Sequence, residues 1–193
     1  MILGDEDHTE SYATLVDVKD GRGLVFQLKS LGKYPMDSDG DGVGGWPGST
    51  LRASLNSGDL YTTYLQHMTM NGSEVDPVAV TVYSRLAGSE DSSVSSTDKY
   101  WIMGSVEAEA KAYFMSYENA SQFAYYATAF GDGTDSDKIY EASVQVTEST
   151  GRTWLRSQYT FPYFDTIEVP GTLVAGWTGA PSSNNVTAPC FCL

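Results

Sequence analysis

The stretch from Trp154 to Leu193 constrains this chain more than any other part of it. It opens on Trp154-Leu155-Arg156-Ser157 and closes on Ala188-Pro189-Cys190-Phe191-Cys192-Leu193, two apolar anchors. Between them lie Gln158-Tyr159-Thr160-Phe161-Pro162-Tyr163-Phe164-Asp165-Thr166 and, later, Gly176-Trp177-Thr178-Gly179-Ala180-Pro181-Ser182-Ser183-Asn184-Asn185. Tyr and Trp give large contact area at low entropy cost, and Ser and Asn supply adaptable hydrogen bonds. Trp154–Ser157 and Pro189–Leu193 therefore read as core strands, and the segment between them reads as a binding surface. Its candidate contact residues are Tyr159, Phe161, Tyr163, Phe164, Asp165, Trp177, Asn184 and Asn185. Tyr159, Phe161 and Tyr163 are expected at the surface. Phe164, beside Asp165 and Thr166, fits a half-buried strand equally well.

The rest of the chain supplies a frame for that surface. Residues 12–18 and 23–29 are apolar and mostly β-favouring, with Asp20-Gly21-Arg22-Gly23 as the turn of a hairpin. A helix is expected from Ser49 or Thr50, either of which can cap it, with Leu51 and Leu55 inward. A second short helix is expected over Asp59–His67 with Leu60, Tyr64 and Leu65 inward. Val78–Leu86 alternates as a strand, Gly88–Thr97 reads as a Ser-rich loop, and Lys99–Met103 as a short apolar strand. Ser105–Ala112, capped by Ser105, and Asn119–Phe130 read as helices, broken at Gly131–Asp137. Tyr140–Thr147, Phe164–Val169 and Thr172–Trp177 read as strands. Strands at both ends with short helices between them predict an α+β fold, and no linker divides the 193 residues into two domains.

A formal net charge of −14 argues against nucleic acid or an anionic membrane surface as partner. No run is long and apolar enough for membrane insertion, and the start, Met1-Ile2-Leu3-Gly4-Asp5-Glu6-Asp7, does not read as a signal peptide. The chain is therefore expected to leave its cell by another route or to be one domain of a longer protein. The only cysteines, Cys190 and Cys192, stand two apart. In a strand that spacing holds them roughly 6–7 Å from each other. An unstrained bridge needs Cβ atoms within about 4.5 Å. They read as small apolar residues of a final buried strand.

The acidity has one local concentration. Asp37-Ser38-Asp39-Gly40-Asp41-Gly42-Val43 matches the opening of a calcium loop, with carboxylates at alternate positions, then Gly, then the Val43 carbonyl. Alternate carboxylates in a tight turn can converge on one hard cation. The match fails where Gly48 replaces the bidentate Glu, so another group must complete the site. Asp132-Gly133-Thr134-Asp135-Ser136-Asp137 is a poorer match.

Several phrases together resemble a bacterial and phage domain family of unknown function. They are Gly44-Gly45-Trp46 followed by Ser49, Leu51-Arg52 and Leu55-Asn56; Asp98-Lys99-Tyr100-Trp101-Ile102 followed by Glu107; Trp154-Leu155-Arg156-Ser157; and the Pro189-Cys190-Phe191-Cys192-Leu193 ending. The resemblance spans nearly the whole chain. It implies a C-type-lectin-like fold, related to the formylglycine-generating enzymes and to the variable proteins of diversity-generating retroelements. Such a fold pairs its first and last strands and exposes the long irregular stretch before the last one. The resemblance further places Trp46, Trp101 and Trp154 in the core and pairs Arg52 and Arg156 with buried carboxylates or carbonyls. Two phrases depart from the family: Trp-Trp-Leu-Arg-Ser-Pro is here Thr153-Trp154-Leu155-Arg156-Ser157-Gln158, and Gly-Val-x-Pro is Asn185-Val186-Thr187-Ala188-Pro189. The sugar-binding phrases of calcium-dependent lectins are missing, which leaves ring stacking and amide hydrogen bonds for any glycan.

These readings converge on a non-catalytic receptor-binding or adhesin domain of a phage tail or bacterial surface protein, diversified by a retroelement in one version. Its partner would be a cell-surface protein or glycan, its place the virion tail or cell surface, and homo-oligomers would form through a larger parent chain. Two alternatives stand beside it: an oxidase of the formylglycine-generating type acting through Cys190 and Cys192, and a structural decoration of a virion or cell wall. His8 and His67 are the only histidines, and no nucleophile motif accompanies them.

Overall fold

A computed structural model describes residues 13–19, 23–70, 73–109, 112–130, 136–167 and 178–193. β1 (Ala13–Lys19) and β2 (Gly23–Leu28) form the expected antiparallel hairpin. Its register slips between Leu15 and Asp17, so the neighbours Val16 and Asp17 are both buried. After the short β3 (Lys33–Tyr34) come two helical turns, α1 (Gly45–Gly48) and α2 (Thr50–Asn56). Ser49 caps α2 as expected: its Oγ accepts from the Arg52 amide at 3.2 Å, and Leu51 and Leu55 are buried.

The next turn, Tyr61–Leu65, is π-helical, with the Gln66 amide donating to the Tyr61 carbonyl. Leu60 and Leu65 point inward, but Tyr64 is exposed. Leu60 and Leu65 are thus inward as expected, and the wider turn leaves Tyr64 on the outside. β4 (Thr69–Met70) and β5 (Ser73–Glu74) form a small ribbon. β6 (Val80–Leu86) and β7 (Ser92–Asp98) pair along their full length. The Ser-rich stretch expected as a loop is thus a strand, because the β6 backbone supplies hydrogen bonds that Ser side chains do not oppose. Val80 and Val82 are buried, while Val78 makes only a single bridge to Cys192 and is exposed. The segment expected as a strand over Lys99–Met103 likewise makes one bridge, Trp101 to Cys190.

Four helices follow: α3 (Ser105–Glu109), α4 (Ala112–Glu118), α5 (Ala124–Phe130) and α6 (Ser136–Thr147). Ser105 is the first residue of α3 rather than its cap. The Ser105 and Val106 amides donate to the Glu118 carboxylate, and the Gly104 amide to Glu107. The helix expected from Asn119 starts only at Ala124. Tyr140–Thr147, expected as a strand, belongs to α6: Ala142, Ser143, Val146 and Thr147 are buried, which is helical spacing.

The chain closes with β8 (Thr153–Thr160), β9 (Tyr163–Ile167), β10 (Thr178–Gly179), β11 (Asn185–Val186) and β12 (Cys190–Cys192). One sheet has the order β1-β2-β12 and another β10-β9-β8-β11-β3. The last strand therefore joins the opening hairpin, but beside its second strand and not its first. Phe191 stacks on Phe26 at 5.4 Å, an apolar contact that fixes this register. The architecture is α+β, with small sheets and short helices. The turn at residues 20–22, the break at 131–135, the strand expected over Thr172–Trp177 and the end of the one expected to Val169 lie outside the described residues.

Trp46, Trp101 and Trp154 are buried in the core, and both arginines are paired as expected. Arg52 Nε lies 2.7 Å from Asp98, which also accepts from Trp46 Nε1 at 3.0 Å. Arg156 is fully buried. It contacts Glu107 at 2.5 Å and donates to the Tyr83 and Ile102 carbonyls. A guanidinium can be buried when its charge is answered and its fork is filled in this way.

Candidate functional site

β8 leaves the core as it runs. Trp154 to Gln158 are buried, and the side chains emerge from Tyr159 onward. Tyr159, Phe161 and Tyr163 are 39%, 53% and 44% exposed, as expected. All three sit at the tip of the β8–β9 hairpin, whose Phe161–Pro162 peptide is cis. The exposure ends abruptly. Tyr163 pairs with Thr160, but Phe164 lies opposite Gln158 and packs edge-on against Trp154. Asp165 is buried and accepts from Ser105 Oγ at 2.6 Å. Phe164 and Asp165 are therefore core residues and not part of an exposed face: strand alternation turns Phe164 inward, and Asp165 serves as acceptor for α3.

Helix α4 flanks the hairpin. Tyr113 is 52% exposed, and its ring lies 6.1 Å from that of Tyr159. Arg85, on β6, lies 4.6 Å over the Tyr113 ring. It donates to the Gln158 and Tyr159 carbonyls at 2.6 and 2.5 Å, to Asp91 at 2.5 Å and to the Tyr113 hydroxyl at 2.6 Å. Arg85 thus clamps the base of the hairpin to β6 and α4. The same contact holds the Asp91 carboxyl below its ordinary range, chiefly through the Arg85 hydrogen bond. Arg85, Asp91 and Tyr113 escaped the sequence reading. An Arg within an alternating strand and a Tyr in a short helix carry no spacing signal.

The acidic loop flanks the hairpin at its tip. Carboxylate oxygens of Asp37, Asp39 and Asp41 lie within 4.8 Å of one another. Asp39 Oδ1 accepts from the Asp41 amide, and Asp41 Oδ1 from the Val43 amide. Asp37 is buried and accepts from the Thr50 amide at 3.3 Å. Its burial, reinforced by the charges of Asp39 and Asp41, pushes its carboxyl above the ordinary range. The Val43 carbonyl oxygen sits against Gly48, where a Cβ would come within 2.6 Å of it. The loop brings together the three carboxylates that could hold a metal ion.

Two sequence-distant stretches are packed on that loop. Gly42 has φ +62°, and a Cβ there would meet the Pro162 carbonyl at 2.6 Å, so only glycine permits this approach. Gln158 Nε2 donates to the Gly42 carbonyl, and the Asp37 amide donates to the Pro181 carbonyl at 3.0 Å. Gly40 lies against Ser182, at 3.3 Å from a Cβ built there. The aromatic hairpin, the acidic loop and the turn at residues 181–184 therefore meet. Asn184 is exposed beside them. Asn185 is turned inward, since β11 pairs with both β3 and β8. Trp177 lies outside the described residues.

Cys190 and Cys192 are buried in β12. Burial raises the Cys190 thiol well above its usual value, the opposite of what a nucleophilic thiolate requires. His67 is exposed, 2.7 Å from Gln66; His8 lies outside the described residues. Among the described residues no helix is long and apolar enough to cross a membrane. No protein-family model, curated protein or solved structure matches this chain.

Proposed function

We propose that this chain is a non-catalytic ligand-binding domain with a C-type-lectin-like fold, serving as the receptor-binding or adhesin part of a phage tail or bacterial surface protein. Its ligand is a cell-surface protein or glycan, and its docking face is the tip of the β8–β9 hairpin. The observation that carries this reading is the outward projection of Tyr159, Phe161 and Tyr163 from a hairpin whose base is buried and clamped. Large rings contribute most to an interface when they stand on a rigid support, because little freedom is lost on binding. Arg85 and Gln158 provide that support. The Asp37–Asp41 loop takes a calcium ion in this reading, which braces the tip from beneath through Gly42 and Pro162.

Alanine at Phe161 and at Tyr163 is the direct test, with binding to a panel of intact bacterial cells as readout. Each substitution should weaken binding by about 2 kcal/mol, roughly thirtyfold, and change stability by less than about 0.5 kcal/mol. Undiminished cell binding by the double variant would sink the assignment of this face.

A further inference from the structure

We infer that the occupant of the hairpin face is a basic protein surface, whose Lys and Arg side chains lie over the exposed rings and between two groups of carboxylates. This rests on the docking reading above and adds the chemistry of the partner. The rings stand between acidic neighbours on both sides. Toward the tip, Gly42 packs on Pro162, the residue after Phe161, which brings the loop that carries the exposed Asp39 and Asp41 to this end of the hairpin. Toward α4, Tyr113 touches Tyr159 and reaches Asp91, whose neighbour in the β6–β7 turn is the exposed Glu90.

Arg85, which lies against the Tyr113 ring, is buried beneath this patch and already paired with Asp91. It offers nothing to an anionic ligand. Asp39, Asp41 and Glu90 remain unanswered by it. An aromatic face next to a carboxylate is the pairing that a guanidinium or ammonium group fits best. The net charge of −14 works in the same direction at longer range, drawing basic partners in and repelling anionic glycans and nucleic acid. A neutral glycan could stack on the rings, but it would answer the charge of none of the exposed carboxylates.

The experiment applies the full chain to an array of random peptides and to an array of neutral glycans, each in excess calcium and in EDTA, so that binding is read with the loop braced and with the loop at full charge. The expected result is capture of peptides enriched in Lys and Arg, lost in the F161A/Y163A variant. The same peptides should bind about threefold to tenfold more weakly to D39N/D41N/E90Q, and the difference should shrink as salt rises. The Asn side chains keep the acceptors that the Asp41 and Val43 amides use, so the loop should persist. Ring-dependent capture of peptides without basic enrichment, or of neutral glycans alone, overturns the inference and leaves the docking face standing. Absence of any ring-dependent binding on both arrays overturns the two together.

Discussion

Gln158 Nε2 donates to the Gly42 carbonyl oxygen at 2.6 Å, joining residues 116 positions apart. The same side chain accepts from the Ala87 amide at 3.1 Å through Oε1. One buried amide therefore ties the aromatic hairpin to the acidic loop and to the end of β6. Gln158 stands where the resembled family carries Pro, which could make neither side-chain bond.

Gln158→Ala should destabilise the chain by about 1–3 kcal/mol, because a buried carbonyl and a buried amide lose their partner together. Urea unfolding measures the loss. A change below about 0.5 kcal/mol would show that other groups replace the bonds and that the suture is dispensable.

Arg156 and Arg52 should respond very differently to replacement by Met. Arg156 is fully buried between Glu107 and Glu118, so Arg156→Met leaves two buried carboxylates without their cation. A loss of about 3–5 kcal/mol is expected. Arg52 is partly exposed, and its partner Asp98 keeps Trp46 Nε1 and Ser96 Oγ as donors. Arg52→Met should cost clearly less. Equal losses in denaturant titrations would refute this ranking.

Two carboxylates should make opposite pH-dependent contributions. Burial pushes Glu118 above its ordinary value of 4.5, although Arg156, the Ser157 hydroxyl and the Val106 amide act against it. The folded state then holds the proton more tightly than the unfolded one. The stability Glu118 contributes is full below its unfolded value and is lost as pH rises through the folded one. Glu118→Gln should therefore be more damaging in acid than at neutral pH. Asp91, held low by Arg85, contributes above its ordinary 3.8 and loses that contribution as pH falls through its folded value. Asp91→Asn should be more damaging at neutral pH. Unfolding free energies at about pH 3 and about pH 7 test both signs. A parallel response of the two variants would contradict the assignment.

Calcium should raise the melting temperature of the wild-type chain and leave Asp39→Asn unmoved. At about 100 times the dissociation constant the stabilisation is about 2.7 kcal/mol. Identical melting in excess calcium and in EDTA would remove the ion from the account of the loop.

The elements legible in the sequence are those whose signal is local. Ser49 caps α2 because a hydroxyl two or three residues before a free amide suffices. The β1–β2 hairpin follows from two apolar runs and a turn, and the outward rings of Tyr159, Phe161 and Tyr163 from a run of large rings between two apolar anchors. The resemblance to known phrases anticipated buried tryptophans and paired arginines. Where two local signals competed, the sequence misled. Val144 and Val146 alternate like strand residues in Tyr140–Thr147, yet helical packing buries Ala142, Ser143, Val146 and Thr147 instead. Ser92–Asp98 has loop composition, yet a full-length partner strand makes it β. Tertiary structure alone decided the site. Asp165 became an internal acceptor for Ser105, Arg85 became the clamp beneath the hairpin, and Gln158 joined it to the acidic loop. The physical reason is range: caps and periodicity act within a few residues, whereas a buried polar side chain is satisfied by whichever distant backbone the fold brings to it.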